Sequence, residues 1–362
     1  PIRSQARPMT AKPAPSRRIS SDHAWDRPRH ITDGGHFSVL LDEAVAALAP
    51  KAGGAYLDGT FGGGGHSRAL LALQPPIGDL WAVDADPDAI ARAEELSCEP
   101  VGMGRLHPVH GNFGDLARLA KDRGIPPLDG ILLDLGVSSF QLDEGDRGFS
   151  FRFDAPLDMR FDPTSGIPAA DIVNGWDEAD LANAIWRYGD ERQSRAIARA
   201  IVAARLDAPI VSTGQLAAIV SDAVGGRRGR PTHPATKTFQ ALRIAVNEEL
   251  DVLPRVLAAA LDLLAPGGRL AVIAFHSLED RVVKQFVDLE ATGCICPPEQ
   301  PVCTCGHTPR LRKIGKPVKP SDSELAQNAR SRSAILRVAE RLPDANPIEH
   351  SLHATDILGD AA

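Results

Sequence analysis

Hydrophobic positions in this chain gather into short apolar runs that end in an acid, and these alternate with runs of helical period. Ala55 to Leu57 ends at Asp58, four glycines (Gly62 to Gly65) follow, and a helical run extends from His66 to Gln74. Leu80 to Val83 ends at Asp84 and precedes a helix from Pro87 to Leu96, with Pro87 in the first turn, where its missing N–H costs nothing. Leu106 to His110 and Gly130 to Leu135 read as third and fourth strands. Strands separated by helices predict an α/β fold with a doubly wound parallel sheet, whose ligands bind beyond the strands' C-terminal ends. Asp58, Asp84, Phe113 and Asp134 all fall on that edge.

The flanks read differently. His36 to Glu43 opens a helix that runs to Leu48, with Ser38 as the expected N-cap. From 140 to 235 no strand is predicted. A loop from Gln141 to Gly166 leads into helices at Glu178 to Tyr188, Arg192 to Leu206 and Thr213 to Val224, then a basic turn from Gly225 to Pro231. A long helix from Lys237 to Leu264, divided at Pro254, a buried strand from Arg269 to Phe275 and a late edge strand from Ala334 to Ala339 restore the α/β pattern. The expected organisation is therefore an α/β domain of residues 36–139 and 236–342, interrupted by a helical insertion at 140–235. Residues 1–35, rich in Pro, Arg and Ser, and 343–362 read as disordered.

The glycine loop narrows the chemistry. Glycines let backbone approach a ligand closely, and the following helix offers free N–H groups. Asp84 stands where a second-strand acid accepts hydrogen bonds from a ribose. A dinucleotide fingerprint fits poorly, because reading Gly-x-Gly-x-x-Gly from Gly62 or Gly63 puts Ser67 or Arg68 at the third glycine. Asp58-x-x-x-Gly62-x-Gly64 instead resembles the first motif of class I S-adenosylmethionine (SAM) methyltransferases, which favours methyl over hydride transfer.

Composition removes several alternatives. Of 362 residues, 43% are apolar, enough for a sizeable core, and no run is long and uncharged enough to span a membrane. No secretory segment is recognisable at the start, so a cytoplasmic protein is expected. The net charge of −7 argues against a general nucleic-acid coat protein but leaves room for local basic sites.

From Asp129 to Phe151 the sequence resembles the ribosomal RNA small subunit methyltransferase H (RsmH/MraW) family. The resemblance rests on Asp134-Leu-Gly-Val-Ser-Ser-Phe-Gln-Leu-Asp143 and Arg147-Gly-Phe-Ser-Phe-Arg152. It extends through Pro156-Leu-Asp-Met-Arg160, Tyr188-Gly-Asp-Glu191, Arg243-Ile-Ala-Val-Asn-Glu-Glu249 and Phe275-His-Ser-Leu-Glu-Asp280. It implies methylation of the exocyclic N4 amine of a decoding-region cytidine in 16S rRNA, with SAM as cofactor. It also implies that Gly64, Gly65 and His66 hold the methionine end, Asp84 the ribose and Phe113 the adenine, with Asp134 and Gln141 at the pocket edge. Taken singly, Phe113 also reads as core, Asp134 as a helix cap and Gln141 as a loop residue. Asp134 is the candidate acceptor for the amine's proton, and His276 is a second candidate base. The Asp/Asn-Pro-Pro-Tyr of many amino-methylating enzymes is replaced here by Asp134-Leu-Gly-Val, leaving Phe140 or Phe149 to stack on the target base.

The expected partner is 16S rRNA within the small ribosomal subunit, with no membrane association and an undetermined choice of monomer or homodimer. Candidate phosphate contacts are Arg227, Arg228 and Arg230 in the glycine turn and Arg310, Arg312, Lys313, Lys316 and Lys319 downstream. Arg187, Arg192, Arg195, Arg199 and Arg205 are weaker candidates. Cys294, Cys296, Cys303 and Cys305 fit either a structural zinc site with His307 in reserve or a reduced exposed loop; their spacing is tighter than the usual knuckle, and no metal is assigned. Two other functions fit the same motifs: a SAM-binding ribosome-assembly factor without transfer activity, and an amino-methyltransferase acting on DNA or another acceptor.

Overall fold

The structure is a computed structural model that describes residues 38–143, 145–227, 232–300 and 302–344. The N-terminal extension expected at 1–35, the tail from 345 onward, and Arg228 and Arg230 lie outside the described residues.

The chain enters through α1 (Leu41–Ala47) and then alternates: β1 (Tyr56–Asp58), α2 (Gly65–Leu71), β2 (Leu80–Asp84), α3 (Pro87–Cys98), β3 (Leu106–His110), α4 (Leu116–Arg123) and β4 (Leu128–Asp134). A single-turn α5 (Ser139–Asp143) precedes the helices α6 (Ala169–Gly175), α7 (Glu178–Gly189), α8 (Ser194–Asp207), α9 (Thr213–Ala223) and α10 (Thr236–Val246). The chain then returns through α11 (Glu249–Leu263), β5 (Leu264–Ala274), α12 (Ser277–Glu290), β6 (Leu311–Lys313), α13 (Asp322–Gln327) and β7 (Ile335–Arg341). The seven strands lie in the order β3-β2-β1-β4-β5-β7-β6. Those from β3 to β5 are parallel, and β7 runs antiparallel to both its neighbours. This is the α/β class expected, arranged as in class I SAM-dependent methyltransferases. Strand order reverses between β1 and β4, and that switch point opens a crevice beyond their C-terminal ends.

Period-two burial covers both sheet faces. Tyr56, Ala82, Leu132 and Ile273 pack on one side with Leu40, Ala44, Leu70 and Ala93 of the first helices. Leu57, Val83, Leu133 and Val272 face the other, against Leu119, Leu257 and Val283. The helices α6 to α10 enclose a third core, with Ile172, Ile185, Ile197, Leu216 and Leu242 fully buried. That core reaches past residue 235, because α10 packs against α7. Among the described residues no helix is long and apolar enough to cross a membrane.

Several expectations are corrected. Ser38 does not cap α1; Leu40 occupies that position in the left-handed region (φ 51°), and its N–H donates to Glu324 Oε1 at 2.8 Å. The long helix breaks at Glu248 (φ 51°) rather than at Pro254, which sits inside α11. Asn247 explains the break: its amide donates to Met159 O (2.8 Å) and Arg243 O (2.9 Å), while its Oδ1 accepts from Phe161 N (2.8 Å). These bonds satisfy loop backbone groups at Met159 and Phe161 and hold them against the end of α10. The late strand β7 is not an edge, since β6 pairs outside it.

Candidate active site

A cavity of about 500 Å³ opens at the switch point, lined by Gly62 to His66, Asp84, Phe113, Asp134, Phe140, Gln141 and Phe161, with Arg243, Glu249 and Glu279 on the opposite wall. All the cofactor residues expected from the sequence, Gly64, Gly65, His66, Asp84, Phe113, Asp134 and Gln141, lie in this lining. His276 does not.

The glycine loop is shaped by its neighbours. Gly62 (φ 51°) and Gly64 (φ 74°) occupy the left-handed region. A Cβ on Gly64 would meet the Phe61 ring at 2.5 Å, and one on Gly63 would meet Phe140 at 2.7 Å. Asp58 stands behind this loop. Its Oδ2 accepts from Ser67 Oγ (2.7 Å) and its Oδ1 from Thr60 N (3.2 Å), tying β1 to the start of α2. Asp84 accepts from Gly62 N at 2.7 Å and from Asp86 N at 2.9 Å, so the tip of β2 fixes the loop's position. Burial pushes both carboxyls up to about 6.

At the end of β4 the Asp134 carboxyl is driven well above the usual carboxylate range by burial, reinforced by the charges of Asp58 and Glu279. Its Oδ1 is buried without a hydrogen-bond partner. His66 Nε2 lies 3.1 Å from Val39 O, which can only accept, so Nε2 carries the proton and Nδ1 is bare. Burial lowers the imidazole to about 4, keeping it neutral at ordinary pH.

Gln141 is anchored at both ends: Nε2 donates to Asp86 Oδ2 (2.8 Å) and Oε1 accepts from Ser138 N (3.0 Å). Arg147 reinforces the same carboxylate at 3.3 Å and donates to Phe161 O at 2.9 Å, joining the loop after α5 to the cap of α3.

The opposite wall was not assigned from sequence. Arg243 forms a two-pronged pair with Glu249 (2.7 and 2.8 Å) and reaches Glu279 at 3.9 Å. Burial alone would lower the guanidinium, but Glu249 and Glu279 outweigh it and raise it; burial pushes the Glu249 carboxyl up, opposed by Arg243. Burial would likewise raise Glu279, yet His276, Arg243 and the Phe275 N–H hold it below its ordinary value. His276 is the N-cap of α12. Its Nδ1 accepts from Glu279 N (3.3 Å), and its Nε2 lies 2.9 Å from Glu279 Oε1, off the line of a hydrogen bond. Its ring therefore orients Glu279 rather than facing the cavity. The signal was present in the sequence, since all four residues lie in the motifs Arg243 to Glu249 and Phe275 to Asp280 that carry the resemblance.

Of the two aromatics considered for base stacking, Phe140 lines the cavity, with the Arg92 guanidinium 4.5 Å from its ring centroid. Phe149 lies in the helical core, stacked on Phe161 at 5.6 Å, and Phe161 takes the lining position. The downstream basic run is largely paired: Arg310 with Asp262, Arg312 with Glu340 and Lys313 with Asp288 (2.6 Å). Arg205 is likewise engaged, donating to Val173 O and Trp176 O.

The cavity suits a cationic ligand. Asp84, Asp134, Glu249 and Glu279 share this lining with Arg243 and Arg330, so carboxyl groups outnumber cations there. SAM carries a sulfonium and an ammonium group, a ribose for Asp84 and an adenine for Phe113. The glycine cradle and the acidic lining both fit it.

Comparison with known proteins agrees. The family model described as the MraW methylase family matches residues 33–342. A ribosomal RNA small subunit methyltransferase H from Thermomicrobium roseum is 59% identical over 308 residues, covering 85% of this chain and 94% of that relative. A protein of the same name from Dehalococcoides mccartyi is 52% identical over 314 residues, covering 86% and 88%. Among solved structures, a putative rRNA-methylase from Clostridium thermocellum aligns at 12% identity with a TM-score of 0.39, covering 85% of this chain and 100% of that one. The chain belongs to the MraW methylase family, with SAM as its methyl donor.

Proposed function

We propose that this protein transfers a methyl group from SAM to the exocyclic N4 amine of a cytidine in the decoding region of 16S rRNA. The observation that carries the reading is the Asp134 carboxyl, which lines the cavity at the tip of β4 and is driven well above the usual carboxylate range by burial. The relatives' shared name supports an rRNA substrate.

SAM supplies an electrophilic methyl group on a positively charged sulfur. Because attack is in line, the chain's main contribution is positioning. Asp84 and the glycine cradle fix the nucleoside end, and Gly64, Gly65 and His66 orient the methionine end. Cytosine's amine lone pair is delocalised into the ring, so an acceptor for its N–H favours the pyramidal nitrogen needed in the transition state. As the N–C bond forms and the S–C bond breaks, the nitrogen gains positive charge. The Asp134 carboxylate then takes one of its protons and returns it to solvent. Phe140 and Phe161 offer faces for a base that has left its stack. The exposed Arg192 and Arg195 on the helical insertion and Lys316 and Lys319 near the sheet edge suit the RNA backbone. Arg192 and Arg195 support an RNA-recognition role for the insertion.

The test is transfer of labelled methyl to small subunits from cells lacking the protein, beside naked rRNA and duplex DNA. Label on N4 of a decoding-region cytidine, lost in Asp84→Ala, is expected. SAM binding without transfer to any RNA would overturn the rRNA assignment and leave the assembly-factor reading standing.

A further inference from the structure

Between the end of α12 and β6 lies a loop with no role in the site above. Cys294, Cys296, Cys303 and Cys305 gather there, with all four sulfurs within 4.8 Å of one another. The separations are 3.5 Å from Cys294 to Cys303, 4.0 Å from Cys296 to Cys303, 3.5 Å from Cys303 to Cys305 and 3.9 Å from Cys305 to Cys294. Four thiolates about 2.3 Å from one zinc ion in a tetrahedron stand about 3.8 Å apart. Sulfurs in a disulfide lie at about 2 Å. Those around a multi-iron cluster are held farther apart by the cluster itself. We propose that these four cysteines form a closed, structural zinc site.

Three further observations support it. Backbone N–H groups aim at the sulfurs, Cys296 N at Cys294 Sγ and His307 N at Cys305 Sγ, both at 3.4 Å; such donors stabilise thiolates. His307, the spare ligand, stands outside the group of four sulfurs, and its Nε2 lies 3.0 Å from Leu289 O, fastening the loop to α12. Finally, the loop has little core of its own: Ile295 is 51% exposed and Val302 is 68% exposed. A loop without buried apolar side chains needs another crosslink to hold one conformation, and a metal provides it. With four protein ligands no coordination position remains for water or substrate, so the ion braces the edge of the sheet and takes no part in methyl transfer.

The full chain, purified without chelator, is analysed for metal and acid-labile sulfide beside Cys98→Ser and Cys294→Ser/Cys303→Ser, with circular dichroism confirming that each folds. One zinc per chain is expected in the parent and in Cys98→Ser, whose cysteine lies outside the cluster, and a stoichiometry near zero in the double variant. Replacing zinc with cobalt should give the visible bands of a tetrahedral tetrathiolate ion in the parent and in Cys98→Ser, and not in the double variant. Three results would overturn the proposal: a fully reduced chain that takes up neither metal, iron with labile sulfide in place of zinc, or zinc retained undiminished by the folded double variant.

Discussion

His66 Nδ1 lies 3.7 Å from Asp134 Oδ2, and the tautomer set by Val39 leaves that nitrogen without a proton. A neutral imidazole held this way gives the carboxylate no counter-charge, so Asp134 stays basic. Asp134→Asn keeps the shape and removes the basicity. A general base contributes about 10²–10⁴-fold. We expect kcat on the rRNA substrate to fall by about that factor in Asp134→Asn, while the Kd for SAM changes by less than about tenfold. Single-turnover methyl transfer and calorimetric binding measure the two. A kcat within threefold of the parent's would remove Asp134 as the proton acceptor.

Cofactor binding should release protons. In the free protein Asp84 titrates at about 6 and Asp134 well above the usual carboxylate range. A cationic ligand favours the ionised carboxyls and lowers both values, so near pH 6 the complex holds fewer protons than the free protein. Affinity is then greatest above pH 6 and weakens as pH falls through it. Titration calorimetry at pH 6 in two buffers of different ionisation enthalpy reads the proton count directly. Net proton uptake would contradict the acidic-cavity account.

Gly64 cannot be replaced without strain. An alanine there keeps φ near 74° and brings its Cβ against the Phe61 ring. The left-handed region costs a non-glycine residue about 1–2 kcal/mol before any clash. Gly64→Ala should therefore destabilise the chain by about 1–3 kcal/mol in denaturant unfolding and weaken SAM binding further, because the start of α2 shifts. Gly53, also at positive φ (69°) but with open space around its Cβ, serves as the control: Gly53→Ala should show the backbone cost alone.

The parts of the site legible in the sequence are those built from contiguous residues. The strand, acid and glycine order from Tyr56 to His66, and Asp84 at the next strand end, place the loop and the ribose acid without tertiary information. The buried wall was not legible in the same way. Arg243, Glu249 and Glu279 meet only because the chain turns at Glu248, a residue in the left-handed region that no helix signal marks. Asn247, which holds that turn, works through a loop 86 residues away. Likewise Arg310 to Lys313 read as a free basic run because Asp262, Asp288 and Glu340, which pair with it, come from α11, α12 and β7. Charge patterning along a chain shows sign and density; pairing across elements depends on the fold.

The Arg243 wall gives the last prediction. Removing one partner of a buried pair leaves an uncompensated charge and costs about 3–5 kcal/mol, whereas replacing the pair with apolar residues is often close to neutral. Arg243→Met strands both Glu249 and Glu279, so its unfolding free energy should drop by about 3–5 kcal/mol, and Arg243→Met/Glu249→Leu should recover much of that loss. The acid limb of the pH–rate profile adds a second readout. Glu279 already raises Asp134, and without Arg243 its charge is less neutralised, so Asp134 ionises at still higher pH. Activity that requires the Asp134 carboxylate should therefore need a more alkaline medium in Arg243→Met than in the parent. An acid limb that stays in place would mean that the wall supports the fold but does not tune the carboxyl.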